Sequence, residues 1–493
     1  MKNKTNHKKL IIPLIVLAAI AAIFLIVAVG TGADISVTGS DVDWIIIVLL
    51  VILPVFLLVI AVVSLVGKHN VIVKADSAVN IVGNNVIADQ NPGYKSENGS
   101  LAAKEQEESS AVGAALNAEK EKSENGDKKV KNTNIKRFCM LPKIDENPDL
   151  YKRDDYETDM TLEKLCNEFR DFSAYELKLY YDISDIRRFI AGLAVTKIII
   201  LQGMSGTGKT SLAYAFGKFL DNQSTLIPVQ PMWKERTDLL GYYNEFTKRF
   251  NETDLLVKMY EALYSRDIYI TVLDEMNIAR VEYYFAEFLS LLELPNEKER
   301  WLTVVSDEWK TDPEKLKNGK INLPANMWFV GTANNDDSTF AISDKVYDRA
   351  MILNLSKKSE PFKAKKTKVR HIAAEDFVKL TKEAECEYVL TKRNENRLAM
   401  LDKYLIDHFH ITFGNRIMKQ IRSYVPIYVG CGGTELEALD DILAKKIMRK
   451  LEMQNPVHVK RSADDLCMYL DELFGTDKMP LCKEYIAGLK NNA

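Results

Sequence analysis

The segment that most restricts how this chain can fold is residues 203–210, GMSGTGKT. It follows an apolar run of strand length, residues 197–202 (KIIILQ), and precedes a stretch that predicts a helix over residues 210–220. Glycines allow the backbone N–H groups of a loop to turn inward, and the first turn of a helix adds positive potential, so this order of strand, loop and helix binds phosphate. The segment therefore predicts an α/β fold with a nucleotide-binding loop.

The individual positions of this loop have predicted chemical roles. Lys209 is expected to reach the β- and γ-phosphates of a nucleoside triphosphate, and the hydroxyl of Thr210 is expected to ligate Mg²⁺. A chance glycine-rich turn is the other interpretation, and the flanking strand and helix argue against it. The residues predicted to bind the nucleotide here are Gly203, Gly206, Gly208, Lys209, Thr210 and Ser211.

A second apolar run, residues 268–273 (IYITVL), ends in the two carboxylates Asp274 and Glu275. Downstream of a phosphate-binding loop, such a strand end places one acid beside the metal and the other beside the attacking water. We therefore expect Asp274 to hold the nucleotide's Mg²⁺ together with Thr210, and Glu275 to polarise the water. Acidic residues are common at strand ends, so the pattern gains its meaning from the loop that precedes it.

A third polar site follows the strand-like run of residues 327–331 (MWFVG). The side-chain amide of Asn334 is expected to orient the attacking water together with Glu275. Asn335 is the alternative for this role, and an asparagine-rich turn without a catalytic function is the other interpretation. The sequence pattern thus predicts Glu275 and Asn334 as catalytic residues.

Two further apolar runs, residues 225–230 (TLIPVQ) and 351–355 (MILNL), complete a set of five predicted strands separated by helical patterns. Strands that alternate with helices form a parallel sheet covered on both faces. After the last strand the periodicity becomes helical only. We therefore predict an α/β nucleotide-binding core over residues 138–356, followed by an all-α lid with C-terminal helices over residues 357–493.

The amino-terminal part of the chain has a different character. Residues 10–29 and 44–66 are apolar runs long enough to cross the roughly 30 Å hydrocarbon layer of a bilayer as helices. Lysines precede the first run, and the loop between the runs carries aspartates but no lysine or arginine, so the positive-inside rule puts both ends in the cytoplasm. Residues 1–67 are thus predicted to form a two-helix transmembrane hairpin in the cell membrane. A cleaved signal peptide in place of the first helix is the alternative, and it also leaves the downstream chain in the cytoplasm.

Residues 68–137 are rich in Lys, Glu, Ser, Asn and Gly, which predicts a disordered, flexible charged linker. The whole chain has a net charge of −3, which does not favour a protein that coats nucleic acid. Its six cysteines include no CxxC pair, so neither a zinc ribbon nor a disulfide-stapled fold is expected.

Together, these motifs resemble those of AAA+ ATPases in the group that contains the MoxR and dynein-related proteins. The stretches that carry the resemblance are residues 203–210, 273–293 (LDEMNIARVEYYFAEFLSLLE) and 331–350 (GTANNDDSTFAISDKVYDRA). Residues 230–233 (QPMW) and 237–243 (TDLLGYY) are similar to the branch of McrB-type NTPases. The resemblance extends over more than half of the chain and implies an AAA+ parallel-sheet core followed by a helical lid.

The resemblance also implies partners and further site residues. Such ATPases work as homo-oligomeric rings, usually hexamers, that bind ATP with Mg²⁺. Arg349, in the segment YDRA, resembles the arginine finger that acts on the nucleotide of the neighbouring subunit. Arg416, in the segment FGNR, resembles the sensor 2 arginine that reaches the nucleotide from the lid. An ordinary surface arginine is the other interpretation of each, and the McrB branch adds GTP as an alternative nucleotide.

The chain departs from the McrB pattern in three places. That branch has Asn-Arg directly after the acidic strand end, whereas this chain has Asn277-Ile-Ala-Arg280. A single Arg349 stands where that branch has two arginines, and the hairpin and linker stand where a reader of methylated DNA would be. These departures weaken the implication of GTP use and of a restriction function.

We therefore expect a membrane-anchored ATPase that hydrolyses ATP to ADP and phosphate to remodel or translocate a partner macromolecule. One alternative is the NTP-driven motor subunit of an McrBC-like DNA restriction or defence system. Another is a nucleotide-binding membrane scaffold that rarely hydrolyses, and the intact Glu275 argues against it. No motif identifies a protein client, and DNA is a partner that the overall charge does not indicate.

The sequence leaves the role of two further segments open between two interpretations each. Residues 357–370 carry seven basic side chains and one acid, and they form either a solvated linker or a contact for nucleic acid or anionic lipid. Residues 233–243 follow the second predicted strand, where AAA+ ring motors carry substrate-gripping loops. Packing within the domain and between subunits is the other interpretation of this segment.

Overall fold

The structure, a computed structural model, describes residues 136–334, 339–355 and 358–492. The predicted transmembrane hairpin, nearly all of the predicted linker and Asn335 lie outside the described residues. Within the described part of the chain, no helix combines the length and the apolar character needed to cross a membrane.

The described chain begins with an α/β part and continues with a helical part. In chain order, the helices and strands of the α/β part are α1 (Leu141–Glu146), α2 (Leu162–Leu177), α3 (Ile183–Val195), β1 (Ile198–Gln202), α4 (Lys209–Phe219), β2 (Thr225–Pro228), α5 (Thr237–Leu240), β3 (Gly241–Asn244), β4 (Arg249–Glu252), α6 (Asp254–Ala262), β5 (Tyr269–Asp274), α7 (Val281–Tyr284), α8 (Ala286–Leu291), β6 (Trp301–Thr303), β7 (Lys320–Asn322), β8 (Met327–Ala333), α9 (Asp344–Tyr347) and β9 (Met351–Asn354). Those of the helical part are α10 (Ala374–Glu387), α11 (Lys392–Phe409), α12 (Gly414–Gly430), α13 (Glu435–Lys446), α14 (Pro456–Phe474) and α15 (Pro480–Asn492).

Five strands form one parallel sheet in the order β2-β5-β8-β1-β9. Ile199 of β1 lies opposite Val330 of β8 on one side and Met351 of β9 on the other, so β1 is paired along both edges. The five strands predicted from the sequence are confirmed, and their ends differ from the prediction by at most two residues. The helical character predicted for the carboxyl-terminal part is confirmed as well.

The sequence of β1 is apolar because both faces of the sheet are buried at this strand. Side chains along a strand point alternately to the two faces. Ile198 and Ile200 pack into a core cluster that includes α6, α7 and α8. Ile199 and Leu201 pack into a second cluster that includes α2, α3, α4 and the helical part. Both faces are covered, so no position of the strand interior is left for a polar side chain.

Two short antiparallel hairpins, β3–β4 and β6–β7, were not predicted from the sequence. Their strands are only three or four residues long and contain the polar sequences RFNE and KIN. Such short runs carry too few alternations for a strand pattern to stand out from a loop. Both hairpins lie outside the five-stranded sheet. The domain therefore contains more β-structure than the apolar runs of the sequence predict.

The helical part is joined to the α/β part by a buried polar cluster as well as by apolar contacts. Asp441 of α13 is 1% exposed, and its carboxylate lies 3.0 Å from the Arg188 guanidinium of α3. The Tyr424 hydroxyl and the Lys445 ammonium donate hydrogen bonds to the same carboxylate. Moving α13 away from α3 would leave a buried carboxylate without its Arg188 partner, which is costly, so the cluster helps to fix how α13 lies against α3.

Arg137, close to the first described residue, is another buried charge with a full set of partners. Its guanidinium donates to both carboxylate oxygens of Asp312 at 2.8 and 2.6 Å, and to the carboxylate and the carbonyl of Asp307 at 2.9 and 2.6 Å. The centre of the Trp309 ring lies 4.5 Å from the guanidinium carbon. These contacts fasten the loop between β6 and β7 to the chain segment that directly follows the predicted linker.

We predict that Asp312→Ala destabilises the protein by about 3 kcal/mol, because it removes a buried partner from a buried guanidinium. Asp307→Ala is the matched control, since the Asp307 side chain is 62% exposed and its pair should contribute about 1 kcal/mol or less. The measurement is the free energy of urea unfolding of the full chain, followed by tryptophan fluorescence. Equal losses in the two variants would contradict this account.

Candidate active site

The glycine-rich loop lies between β1 and α4, at the carboxyl end of the sheet. Gly203 has φ +142°, and a Cβ there would stand 2.2 Å from the carbonyl oxygen of Leu355, so the loop requires glycine at this position. Lys209, only 7% exposed, donates from its ammonium to the carbonyl oxygens of Gly203 at 2.9 Å and Met204 at 2.8 Å. The lysine therefore points back into the loop that its own helix follows.

Tyr181 supports this loop from the segment between α2 and α3, and sequence reasoning did not identify it. Its hydroxyl donates to the carbonyl oxygen of Gly208 at 3.0 Å, and its ring lies against the Gly208 backbone. Burial raises the pKa of the Tyr181 hydroxyl above its usual range, so the phenol keeps its proton and can donate this hydrogen bond well above neutral pH.

Asp274 is the centre of a short chain of hydrogen bonds at the end of β5. Its Oδ1 atom accepts from the Thr210 hydroxyl at 2.7 Å and from the Thr332 hydroxyl at 2.8 Å. The Thr332 oxygen in turn accepts from the backbone N–H of Glu275 at 2.8 Å. The structure thus brings the two predicted Mg²⁺ ligands, Thr210 and Asp274, into direct contact. A hydroxyl beside a carboxylate is a pair of hard oxygen donors, which suits Mg²⁺.

Glu275 has an unusual backbone conformation for a residue with a side chain. Its φ of 52° and ψ of 48° lie in the left-handed region, where a non-glycine residue costs of order 1 kcal/mol or more. The hydrogen bond from its N–H to Thr332 helps to hold this conformation. The Asn334 amide nitrogen lies 3.5 Å from the Glu275 carboxylate, so the two predicted catalytic side chains are neighbours.

Asn277 orders the segment that carries Asn334. Its amide donates to the carbonyl oxygens of Asn334 at 2.8 Å and Phe340 at 3.3 Å, and its own backbone carbonyl accepts from the Phe340 N–H at 2.8 Å. Arg280, whose position departs from the McrB pattern, places its guanidinium 4.9 Å from the centre of the Phe340 ring. Asn277 is buried, and the only sequence signal for it was its place two residues after Glu275.

The two predicted arginines also come together, at a third residue that sequence reasoning missed. Arg349 follows α9 and pairs with the Glu293 carboxylate at 2.8 Å, while Arg416, in the first turn of α12, pairs with the other oxygen of that carboxylate at 2.5 Å. Arg349 also donates to the Lys345 carbonyl oxygen at 2.7 Å. Glu293 therefore neutralises part of the repulsion between the two guanidinium groups.

Residues 198–350 match the family model described as AAA domain (dynein-related subfamily). That span contains the loop, both acids, Asn334 and Arg349. The protein is a P-loop NTPase. Residues 363–493 match a second family model, a domain of unknown function (DUF8727), and no curated protein matches the chain.

Two solved structures are similar to parts of this P-loop NTPase. One is the crystal structure of a candidate ATPase from Cytophaga hutchinsonii, at 14% identity and a TM-score of 0.43, covering 67% of this chain and 98% of that one. The other is a full-length MCM homolog from Methanopyrus kandleri, at 11% identity and a TM-score of 0.33, covering 58% of this chain and 60% of that one.

The segment of residues 233–243 divides between buried and exposed side chains. Trp233 packs edge-on against Tyr284, at 5.6 Å between ring centres, and Leu239 and Leu240 are buried. Tyr242, on β3, is 53% exposed, and Phe246, just beyond the segment at the tip of the β3–β4 hairpin, is 98% exposed. Most side chains of the segment are thus partly or fully buried, and its exposed aromatic side chain, Tyr242, lies on the same hairpin as Phe246.

The basic segment of residues 357–370 is described from residue 358 onward and runs from β9 to α10 without helix or strand. Arg370 pairs with Glu157 at 3.0 Å and with Glu168 at 2.8 Å. The centre of the Phe362 ring lies 3.8 Å from the guanidinium carbon of Arg170. These contacts attach the segment to α2 and its neighbourhood, as expected for a linker that returns along the domain surface.

We predict that Thr332→Val lowers kcat about 10- to 100-fold, because Asp274 and the Glu275 N–H each lose a hydrogen-bond partner and the acids shift. Thr332→Ser is the matched control, since it keeps the hydroxyl and should retain most of the activity. The measurement is steady-state NTP hydrolysis by the full chain. Wild-type kcat in the valine variant would show that Thr332 does not position the acids.

Proposed function

We propose that this P-loop NTPase hydrolyses ATP to ADP and phosphate in a homo-oligomeric ring and uses the energy to remodel or translocate a partner macromolecule. The observation that carries the proposal is the hydrogen-bonded chain Thr210–Asp274–Thr332–Glu275, with Asn334 beside it. It links the phosphate-binding loop to a carboxylate and an amide in positions suited to activating water. A site that only bound nucleotide would not need the last two side chains.

The chemistry is an in-line attack of water on the γ-phosphate. Lys209 binds the β- and γ-phosphates, and the Glu275 carboxylate accepts a hydrogen bond from the attacking water while the Asn334 amide orients it. Mg²⁺, which Thr210 and Asp274 would hold, supplies positive charge that offsets the charge developing on the phosphate oxygens. Catalysis in this proposal comes from positioning and charge stabilisation, without a covalent intermediate.

Arg349 is proposed to complete the active site of a second copy of the chain. It belongs to the α9–β9 connection and its side chain is 23% exposed, so it is partly accessible to a neighbour. A guanidinium supplied in this way stabilises the transferring phosphoryl group and contributes about 10³- to 10⁵-fold in rate in related chemistry. This requirement for a neighbour is the reason to propose a ring, and a hexamer is the form we propose.

The proposed location rests on the sequence outside the described residues. The apolar runs over residues 10–29 and 44–66 support a hairpin in the cell membrane, with the amino terminus and the NTPase in the cytoplasm. The charged linker over residues 68–137 would then tether the ring to the bilayer. A client at or near the membrane follows from this arrangement.

We predict that hydrolysis by the full chain in detergent micelles rises in specific activity with protein concentration, because isolated subunits lack the partner's arginine. Arg349→Ala should remove this rise together with most of the turnover. ATP and GTP are compared in the same assay, and added DNA tests the restriction-motor alternative through stimulation. Negligible activity at every concentration would contradict the proposal and favour the scaffold alternative.

We predict that Glu275→Gln lowers kcat by about 10²- to 10⁴-fold while the affinity for ATP is retained, because the amide keeps the shape of the side chain but cannot act as a base. The measurement pairs turnover with equilibrium binding of a fluorescent ATP analogue. Asp274→Asn is the comparison variant, and it should weaken the Mg²⁺ dependence of binding. Full turnover in the glutamine variant would exclude the role of Glu275.

A further inference from the structure

The segment that carries Arg349 is held by the helical part through a buried lysine. Lys446, at the end of α13, is 3% exposed, and its ammonium donates to the carbonyl oxygens of Tyr347 at 2.6 Å and Ala350 at 2.5 Å. These two carbonyls stand on either side of Asp348 and Arg349. One ammonium therefore fixes both ends of the two-residue connection from which the Arg349 side chain leaves the backbone.

Other contacts between the helical part and the same segment add to this one. The Gln420 amide of α12 donates to the Asp348 carbonyl oxygen at 3.1 Å. Arg449 pairs with Asp344, and its guanidinium carbon lies 4.1 Å from the centre of the Tyr347 ring. Residues 344–350 are thus attached at several successive positions to α12, α13 and the turn that follows them.

The burial of Lys446 needs an explanation beyond packing. Taking an ammonium out of water is costly unless its hydrogen bonds are replaced, and an apolar side chain of similar length would fill the space without that cost. Burial lowers the pKa of Lys446 to about 7, with Asp348 opposing the shift and Arg449, Arg416 and Lys450 adding to it. A neutral amine still has two N–H groups for the two carbonyls, so the contact persists on either side of this pKa.

We propose that Lys446 is a positioning residue that sets the direction of Arg349 toward the nucleotide of a second copy of this chain. The proposal rests on the trans role of Arg349 given above and extends it, because it makes the arginine's position depend on the helical part of the same subunit. Arg416 belongs to that part as well and shares Glu293 with Arg349. A displacement of α12 and α13 therefore moves the arginine presented to the neighbour.

The first test is a comparison of two methionine variants of adjacent lysines. Lys446→Met should lower kcat about 10- to 100-fold with KM for ATP unchanged, because its own nucleotide site is intact and only the arginine is misplaced. Lys445→Met is the matched control, since Lys445 is equally buried on the same helix but pairs with Asp441. It should lower stability while kcat of the folded protein is retained, because Arg188 and Tyr424 still contact Asp441 and keep α13 in place. Wild-type kcat in Lys446→Met would overturn the proposal.

The second test separates positioning of the arginine from a general structural role. Lys446→Met subunits are mixed with an excess of Glu275→Gln subunits, which do not hydrolyse but present a correctly held arginine. Turnover per Lys446→Met subunit should recover toward the wild-type value. An excess of the double variant Glu275→Gln, Arg349→Ala should give no recovery. A folded Lys446→Met protein that is not rescued would overturn the proposal, because the defect would then lie in its own site.

Two controls keep the outcome decisive. Arg349→Ala subunits mixed with Glu275→Gln subunits must recover as well; if they do not, the trans arginine itself fails, and with it the proposed function. If Lys446→Met does not fold, Gln420→Met takes its place, since it removes one hydrogen bond to the Asp348 carbonyl and leaves Lys446 intact. It should show a smaller kcat loss with the same pattern of rescue, and no loss in this variant would overturn the proposal.

Discussion

The strand order of the sheet is the constraint on which the active site depends. β5 and β8 are neighbours, and β1 lies directly beyond β8, so the carboxyl ends of three strands meet at one edge. Residues far apart in the sequence become hydrogen-bonded there: Thr210 after β1, Asp274 at the end of β5 and Thr332 within β8. In a parallel sheet the loops that follow the strands all lie at the same edge. Polar side chains at these strand ends can therefore form a binding site there.

The predictable parts of the fold share one property: each has a sequence pattern contained within a few consecutive residues. The strands β1, β5, β8 and β9 are apolar runs because both faces of the sheet are covered there, and a run such as IIIL needs no tertiary information to be recognised. The loop of residues 203–210 is equally local, since its glycines and its lysine all lie within eight consecutive residues. The hairpins β3–β4 and β6–β7 lack such a pattern because their side chains alternate between polar and apolar over only three or four positions.

The contacts that the sequence did not predict are set by packing over long distances along the chain. Thr332 stood within a segment already quoted for Asn334, but its partner Asp274 depends on strand register. Glu293 has no signal of its own, because its meaning lies in two arginines that reach it from α12 and from the end of α9. The pairing of Lys446 with two backbone carbonyls leaves no trace in the sequence at all, since carbonyls belong to every residue.

The buried Arg137 has a consequence for how mechanical load enters the domain. Any pull along the chain from its amino-terminal side meets this residue at the start of the described region, before it reaches α1. Asp312 and Asp307 resist there through hydrogen bonds from a single guanidinium, so the force is passed sideways into the loop between β6 and β7. A force applied at the amino-terminal end therefore reaches α1 and α2 only after these contacts break, so the domain can be held there without being unravelled.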